Sequence, residues 1–320
     1  MMRRWGKDTQ AELIRSMILN DKLCHSFILT GDEGIGKRTL AKYIAAAALC
    51  ENATGVPCGQ CRSCRMCEHG GHPDLIELSP TGKSDNFRVD DLRPVVSDAS
   101  VAANEGGYKV YIIPEIDKAL PAAQNILLKV FEEPPEHVIF IMTAQRREKV
   151  LPTILSRAVV LPVYEAGRAE CISALLELGA SEDDASKAYD VFGGNIGKCL
   201  EYIRGEGRQA LERIRGIAGA ISAADEYALA KALFISDRDE CLEVCAGLSE
   251  LVCDVCIIKQ GGTAQSCFKA EAAELGKSIR MSGAVNMYSD IAQAIDKLQK
   301  NANVTLTMCD LGARLKADSV

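Results

Sequence analysis

Short apolar runs alternate with amphipathic stretches along the first half of the chain. Five runs have the length and apolar content of buried strands, at 26–30, 74–78, 109–113, 138–143 and 159–163. Between them, apolar positions recur at helical spacing over 10–19, 37–49, 89–97 and 122–132, the last ending before Pro134 and Pro135. This alternation predicts an α/β domain with a mostly parallel sheet over residues 1–165.

Helical patterns dominate after Tyr164, where the strand signals nearly stop. Residues 166–206 predict short helices around a Gly193-Gly194-Asn195 turn. Residues 207–320 predict helix throughout, with breaks near Gly261-Gly262 and Gly283. We therefore expect three domains: an α/β domain at 1–165 with an inserted cysteine-rich module at 50–73, a small helical domain at 166–206 and an all-helical domain at 207–320.

The composition is that of an ordinary globular protein with an acidic balance. The 320 residues are 48% hydrophobic and 25% charged, with a formal net charge of -7. A stand-alone DNA-binding protein usually carries a basic face, so we expect any DNA contact to occur through a complex or one local patch. No apolar run has the length of a signal peptide or approaches the roughly 20 residues of a membrane span, so we expect a cytoplasmic protein.

A glycine-rich loop follows the first predicted strand and precedes a predicted helix. Its sequence, GDEGIGKRT at 31–39, nearly fits the phosphate-loop pattern G-x-x-x-x-G-K-[ST]. Gly31, Gly34 and Gly36 would let the backbone wrap a phosphate, and Lys37 would reach the β- and γ-phosphates. The pattern favours a loop of phosphate-binding ancestry that could still hold ATP or ADP; the alternative is a glycine turn with no ligand.

Two positions that normally hold Mg²⁺ depart from the pattern of an active nucleotidase. Arg38 stands where a Ser or Thr hydroxyl should bind the ion, and Thr39 comes one position late. After the strand at 109–113, Pro114 stands where the metal-holding aspartate belongs, although Glu115 occupies the position of the water-activating acid. Without the metal, charge on the transferring phosphoryl group is poorly stabilised, so we expect weak or absent hydrolysis.

A dense cysteine cluster lies within the inserted module. The spacing of Cys50, Cys58, Cys61 and Cys64 suits tetrahedral Zn²⁺, and a site closed by four protein ligands is structural. The alternatives for the fourth ligand are Cys67, His69 and His72. An iron–sulfur cluster on Cys58, Cys61, Cys64 and Cys67 is a second interpretation, and free thiols are a third. The nine cysteines elsewhere are expected to pack as small core hydrophobes.

Together, the motifs resemble those of the AAA+ clamp-loader subunits of bacterial DNA polymerase III, which include the tau/gamma ATPase and its delta-prime relative. The similar segments are HSFILTG at 25–31, the four cysteines of the module, HPD at 72–74, NILLK at 125–129, EEPPE at 132–136 and LSR at 155–157. The resemblance implies an AAA+ domain, a small helical lid at 166–206 and a helical collar at 207–320 that oligomerises. It also implies structural zinc and, as partners, tau/gamma and delta, with the sliding clamp and primed DNA as indirect partners.

The resemblance assigns Arg157 the role of an arginine finger, which reaches across a subunit interface to a neighbour's γ-phosphate. A helix-capping or surface-paired arginine is the alternative. The family's sensor-2 arginine falls at Gly197, with Lys198 one residue late. All these departures affect the chain's own site, as in the delta-prime branch, which implies help in loading the clamp rather than ATP turnover. The competing hypotheses are an active tau/gamma-type ATPase and a zinc-binding adaptor without nucleotide function.

Overall fold

A computed structural model describes residues 7–80, 86–105, 107–205 and 208–318. Its contacts divide the chain into two compact units. The first, which we call the α/β unit, comprises Met1–Gly179 and Gly194–Lys198. The second, the helical unit, comprises Ala180–Gly193 and Cys199–Val320. The division into three domains expected from the sequence stays a prediction.

The α/β unit is built on a parallel five-stranded sheet. The strands are β1 (Ser26–Thr30), β2 (Leu75–Glu77), β3 (Lys109–Ile113), β4 (Val138–Ala144) and β5 (Val159–Pro162). Their order in the sheet is β2-β3-β4-β1-β5. All five strands predicted from the apolar runs are thereby confirmed, and together with the flanking helices they confirm the predicted α/β fold.

Among its described residues, the same unit contains seven helices. They are α1 (Asp8–Leu19), α2 (Lys37–Ala48), α3 (Arg62–Glu68), α4 (Val89–Asp98), α5 (Pro121–Glu132), α6 (Pro152–Leu155) and α7 (Arg168–Glu177), with short 3-10 helices at Ile116–Lys118 and Arg147–Lys149. The four predicted helices of this half are confirmed. Helix α3 lies in the module that the sequence predicted to be a loop, and Cys61 caps it by accepting a hydrogen bond from the Cys64 N–H.

Apolar side chains cover both faces of the sheet because successive residues of each strand point to opposite sides. Ile28, Tyr111 and Phe140 belong to the cluster that includes α4 and α5. Phe27 and Ile112 belong to the cluster that includes α1 and α2. This double coverage explains why the strands read as continuous apolar runs. It leaves the carboxyl edge of the sheet for the loops that follow β1, β3 and β4.

Helix α8 (Glu182–Phe192) is the first helix of the helical unit. Helix α9 (Ile196–Ile203) starts in the α/β unit, and its residues from Cys199 onward belong to the helical unit. Its further helices are α10 (Arg208–Ser222), α11 (Glu226–Ala232), α12 (Arg238–Lys259), α13 (Lys269–Ser278), α14 (Met281–Gln299) and α15 (Val304–Asp318). They enclose one apolar core around residues such as Val244, Phe268 and Ile291. No helix among the described residues is long and apolar enough to cross a membrane.

Both predicted helix breaks in this unit are confirmed. Helix α12 ends before Gly261, whose φ of 81° lies in the left-handed region that favours glycine. The break predicted near Gly283 lies at residues 279–280, between α13 and α14, and Gly283 itself lies in the first turn of α14. A Cβ at Gly283 would lie 2.2 Å from the Asp318 carbonyl oxygen, so the residue permits a close approach of α15 rather than ending a helix.

The prediction that the scattered cysteines pack in the core holds for only some of them. Cys171, Cys199, Cys241 and Cys245 are buried, and Cys24, Cys256 and Cys267 are partly buried. Cys253 and Cys309 are exposed, which contradicts the prediction for these two. On α12, Val252 and Val255 face the core, and Cys253 between them therefore faces away from it.

The interior strand β1 should tolerate truncation poorly. Leu29 on β1 is 0% exposed, whereas Leu19 at the end of α1 is 56% exposed. We expect Leu29→Ala to lower the free energy of unfolding by about 2–5 kcal/mol, because it leaves a cavity in a packed core. The matched Leu19→Ala should change it by no more than about 0.5 kcal/mol. Urea denaturation followed by circular dichroism measures both, and equal losses would contradict the described packing.

Candidate functional site

The glycine-rich loop lies at the carboxyl edge of the sheet, between β1 and α2. Gly31, Gly34 and Gly36 have φ values of 147°, 81° and 91°, a region that side chains disfavour. A Cβ at Gly31 would lie 2.5 Å from the Val163 carbonyl oxygen. Gly36 is the N-cap of α2, so the loop leads directly into the positive end of a helix dipole.

Lys37 folds back over this loop. Its Nζ donates hydrogen bonds to the carbonyl oxygens of Gly31 at 2.7 Å and of Asp32 at 2.6 Å. Burial lowers the pKa of Lys37, while the nearby carboxylates of Asp117 and Glu115 act in the opposite direction. The lysine is therefore held within the loop beside two acids from the end of β3.

Arg38 turns out to have a partner of its own. Its guanidinium pairs with Glu77 at the end of β2, and Lys42 approaches the same carboxylate at 3.0 Å. Burial alone would raise the pKa of Glu77, but hydrogen bonds from both cations lower it overall. Thr39 is exposed on α2. The position of the usual Mg²⁺-binding hydroxyl is thus taken by a cation in an ion pair.

The acids after β3 are fixed by contacts with the end of β4. The Glu115 N–H donates to Thr143 Oγ1 at 2.9 Å, and its carboxylate pairs with Lys118 at 2.8 Å. Asp117 Oδ2 accepts a hydrogen bond from the Arg146 N–H at 3.0 Å. The other oxygen, Asp117 Oδ1, is buried without a hydrogen-bond partner among the described residues. Sequence reasoning did not single out Thr143, because a lone threonine at a strand end has no distinctive pattern.

Lys7 is a second site residue that the sequence did not reveal. It is only 3% exposed, and its ammonium group donates to the Tyr164 carbonyl oxygen. Its Cε lies 4.0 Å from the place that a Cβ at Gly36 would occupy. Burial lowers the pKa of Lys7. The residue precedes α1, and no local motif marks it.

The segment at 194–198 contacts the crest of the glycine-rich loop. Asn195 Nδ2 donates to the Glu33 carbonyl oxygen at 2.7 Å, and the Gly197 N–H donates to the Gly34 carbonyl oxygen at 2.9 Å. A Cβ at Gly197 would lie 2.6 Å from the Gly34 Cα. Gly197 is the position that the resemblance assigned to a sensor-2 arginine. Its backbone contacts the loop directly, and the structure leaves no room for a side chain there.

The inserted module brings together the four cysteines named from the sequence. The Sγ atoms of Cys50, Cys58, Cys61 and Cys64 all lie within 4.8 Å of one another. Cys50 follows α2, while Cys61 and Cys64 lie at the N-cap and in the first turn of α3. Cys67, the alternative ligand, lies outside this set. Four thiols at such separations could hold a metal ion, and tetrahedral thiolate sites of this kind suit zinc.

Backbone amides support negative charge on part of this cluster. The N–H groups of Gln60 and Cys61 donate to Cys58 Sγ at 3.5 and 3.3 Å, and they lower the pKa of the Cys58 thiol to about 6. Burial raises the pKa of Cys50 and Cys64. Several buried thiolates repel one another, and a bound cation would remove that penalty. The donor set therefore fits a metal better than a group of free thiols.

Arg157 lies on the surface just after α6. One guanidinium nitrogen, Nη1, donates to the Thr153 carbonyl oxygen at 3.1 Å, and the other, Nη2, lies 3.1 Å from Glu132 Oε1. The Arg157 carbonyl oxygen accepts a hydrogen bond from Ser26 Oγ at 2.7 Å, which anchors the backbone to β1. Its role as a finger stays a prediction, since these contacts also suit a capping and surface-paired arginine.

Comparison with known proteins finds curated relatives that match just under half of this chain. The tau subunit of DNA polymerase III from Bacillus subtilis is 35% identical over 153 residues, covering 48% of this chain and 27% of that protein. The delta' subunit of DNA polymerase III from Pseudomonas aeruginosa is 37% identical over 136 residues, covering 42% of each chain. The chain thus spans about a quarter to under half of the length of these curated relatives.

A solved structure and a family model extend this result. A DNA polymerase III gamma subunit-related protein from Thermotoga maritima superposes with a TM-score of 0.50 at 16% identity, covering 97% of this chain and 100% of its own; this likeness shows the fold, which is of the AAA+ type. The family model described as DNA polymerase III, delta subunit matches residues 6–166, slightly more than half of the chain. The resemblance to clamp-loader subunits is confirmed, and the chain belongs to the DNA polymerase III clamp-loader family that this model describes.

Proposed function

We propose that this chain is a delta-prime-like subunit of the bacterial DNA polymerase III clamp loader. It supplies Arg157 to the ATP site of a neighbouring tau/gamma-type subunit and turns over little or no ATP itself. The observation that carries the proposal is an asymmetry between the two sites. Where the phosphate-loop pattern has a Mg²⁺-binding hydroxyl, this chain has Arg38 in an ion pair with Glu77, whereas Arg157 is exposed on the surface.

The chain's own phosphate loop lacks both usual contacts to Mg²⁺. A hydroxyl is absent at position 38, and Pro114 has no side-chain oxygen to offer after β3. The cation at Arg38 would also repel a divalent ion placed beside it. Lys37 and the loop amides remain suited to a nucleotide phosphate, so the site favours binding of ATP or ADP over hydrolysis.

Arg157 is positioned to act on a neighbour rather than on this loop. Its backbone is tied to β1 through Ser26, while its exposed guanidinium pairs with Glu132 and donates hydrogen bonds to the Thr153 carbonyl oxygen and to Ser156 Oγ. Exposed ion pairs contribute only about 0–1 kcal/mol. The side chain can therefore leave Glu132 at small cost when the γ-phosphate of a partner's ATP lies within reach.

The metal module completes the proposal as a structural element. We assign Zn²⁺ to Cys50, Cys58, Cys61 and Cys64, because four thiolates close the coordination sphere and leave no position for a substrate. When bound, zinc would tie the end of α2 to α3 and to the loop between them. This cross-link would order a module that has little apolar core of its own.

The partners and location follow from membership of the clamp-loader family. We propose tau/gamma and delta subunits as direct partners, with the sliding clamp and primed DNA reached through the complex. In this proposal residues 166–206 form a lid and 207–320 form a collar that holds the subunits together, in the cytoplasm. The acidic net charge of -7 favours DNA contact through the assembled complex rather than through this chain alone.

The main prediction concerns Arg157 in a reconstituted loader. Removal of an arginine finger lowers kcat by about 10³–10⁵ at the site it serves. We expect Arg157→Ala to abolish ATP hydrolysis at the interface formed by this chain and to reduce clamp loading. Steady-state ATPase of the complex, with primed DNA and clamp, measures the effect.

Two control variants separate this role from surface packing. Glu132→Gln removes the ion pair but keeps the arginine, and Arg93→Ala removes an arginine that forms a surface pair with Asp90. Both should retain the ATPase rate of the wild-type complex. If Arg157→Ala also retained it, the alternative of a zinc-binding adaptor without a nucleotide-related role would be favoured.

The metal assignment predicts a selective loss of zinc. We expect one zinc per chain by mass spectrometry of the purified protein. Cys50→Ser should lose most of it because it removes one of the four converging thiols, while Cys67→Ser should keep it. Loss of zinc only in Cys67→Ser would exclude the ligand set named above, and bound iron would support the iron–sulfur interpretation instead.

A further inference from the structure

The crest of the phosphate loop is held from outside by the segment at 194–198. We propose that Asn195 and Gly197 are positioning residues, which hold the loop in a form that binds the phosphates of a nucleoside diphosphate without a divalent cation. The inference deepens the proposed function at the chain's own site and rests on it for the identity of the ligand. It concerns contacts within the α/β unit alone.

The orientation of the Asn195 amide is fixed by its two neighbours. Asn195 Oδ1 lies 3.1 Å from the Lys198 backbone nitrogen. A backbone N–H can only donate, so the atom facing it must be the amide oxygen, which accepts the hydrogen bond. Asn195 Nδ2 therefore faces the Glu33 carbonyl oxygen at 2.7 Å, which can only accept. Asn195 is only 3% exposed, so both bonds are shielded from competing water.

Gly197 adds a second bond to the next peptide of the loop. Its N–H donates to the Gly34 carbonyl oxygen at 2.9 Å. Two successive carbonyl groups, those of Glu33 and Gly34, are thus both held from the side of residues 194–198. We refer to these two hydrogen bonds as the clasp.

The clasp determines where two N–H groups of the loop point. In a trans peptide the C=O and the following N–H point in opposite directions, and no cis peptide is present among the described residues. Holding the carbonyls of Glu33 and Gly34 therefore turns the N–H groups of Gly34 and Ile35 away from residues 194–198. Successive backbone N–H groups presented in this way form a concave anion-binding nest.

Lys37 supplies the side-chain charge for the same anion. Its ammonium group lies within the loop, on the carbonyl oxygens of Gly31 and Asp32. Since Arg38 and Pro114 offer no ligand for Mg²⁺, Lys37, the loop amides and the N-terminus of α2 must neutralise the phosphates. This arrangement predicts nucleotide binding that does not depend on magnesium.

The clasp also gives a physical reason for glycine at two positions. A Cβ at Gly197 would lie 2.6 Å from both the Cα and the carbonyl oxygen of Gly34. A Cβ at Gly34 would lie 2.4 Å from Asn195 Oδ1. A side chain at position 197 therefore cannot coexist with the clasp, and a direct backbone contact replaces the charged side chain that related subunits use there.

The first test is the affinity of the full chain for ADP in EDTA, measured by isothermal titration calorimetry. We expect the wild-type chain to bind ADP and Asn195→Ala to bind it about fivefold more weakly, the equivalent of one net hydrogen bond. Asn20→Ala makes the same change where α1 ends, before the amino end of β1, and should not alter the affinity. Thermal unfolding without ADP is the second readout, because a purely structural role would change only the midpoint temperature.

A glycine pair tests the backbone half of the clasp. Alanine favours helix over glycine at both Gly197 and Gly216, but a Cβ meets nothing within 4 Å at Gly216. We expect Gly197→Ala to weaken ADP binding about fivefold or more and Gly216→Ala to leave it unchanged. Unchanged or tighter binding in both Asn195→Ala and Gly197→Ala would overturn the inference, because the clasp would then be neutral or would compete with the ligand.

The wild-type measurement separates this inference from the proposed function. A wild-type chain that binds no ADP in EDTA would overturn the inference, while the role of Arg157 would still be judged by the ATPase of the neighbouring subunit. Conversely, loss of the Arg157 effect would remove the proposed role in trans without changing the predicted order of ADP affinities among the four variants.

Discussion

The ion pair between Arg38 and Glu77 is the interaction on which the proposed function of the phosphate loop depends. It places a fixed positive charge near the start of α2 where related loops place a hydroxyl for Mg²⁺. The same cation, with Lys42, holds the end of β2 to α2. The same ion pair thus both links β2 to α2 and uses the position where the phosphate-loop pattern has a hydroxyl.

This constraint divides the chemistry of the α/β unit between two places. At the carboxyl edge of the sheet, the loop keeps its glycines, Lys37 and a helix N-terminus, which in the proposed function hold phosphate but do not stabilise its transfer. On the surface, Arg157 keeps a firmly anchored backbone and a weakly held guanidinium. In the proposed function, such a subunit completes a neighbour's site while its own nucleotide acts as a structural ligand.

Periodicity and motif spacing predicted the elements that depend on local sequence. All five strands were foreseen because a parallel sheet covered on both faces requires continuous apolar runs. The four converging cysteines were foreseen because thiols at such short spacing are typical of a metal site. The break near Gly283 was foreseen, although the glycine itself lies just inside α14 and permits close packing rather than ending a helix.

Contacts between distant segments could not be predicted in this way. Lys7 reaches the Tyr164 carbonyl, Asn195 reaches Glu33 and Thr143 reaches Glu115, and none of these pairs has a fixed spacing along the chain. The partner of Arg38 was hidden for the same reason, because Glu77 follows the inserted module and lies 39 positions further along the chain. Such contacts determine the surroundings of a recognisable motif. The motif alone therefore does not reveal which partners its residues have.

Steady-state ATP hydrolysis by the purified chain, with and without primed DNA, tests the central claim most directly. Lys37→Ala provides the background rate, because this substitution removes the loop's phosphate-binding charge. The account predicts that the wild-type chain hydrolyses ATP no faster than this variant. Hydrolysis that Lys37→Ala abolishes would contradict it and would identify the chain as an active ATPase of the tau/gamma type, despite Arg38 and Pro114.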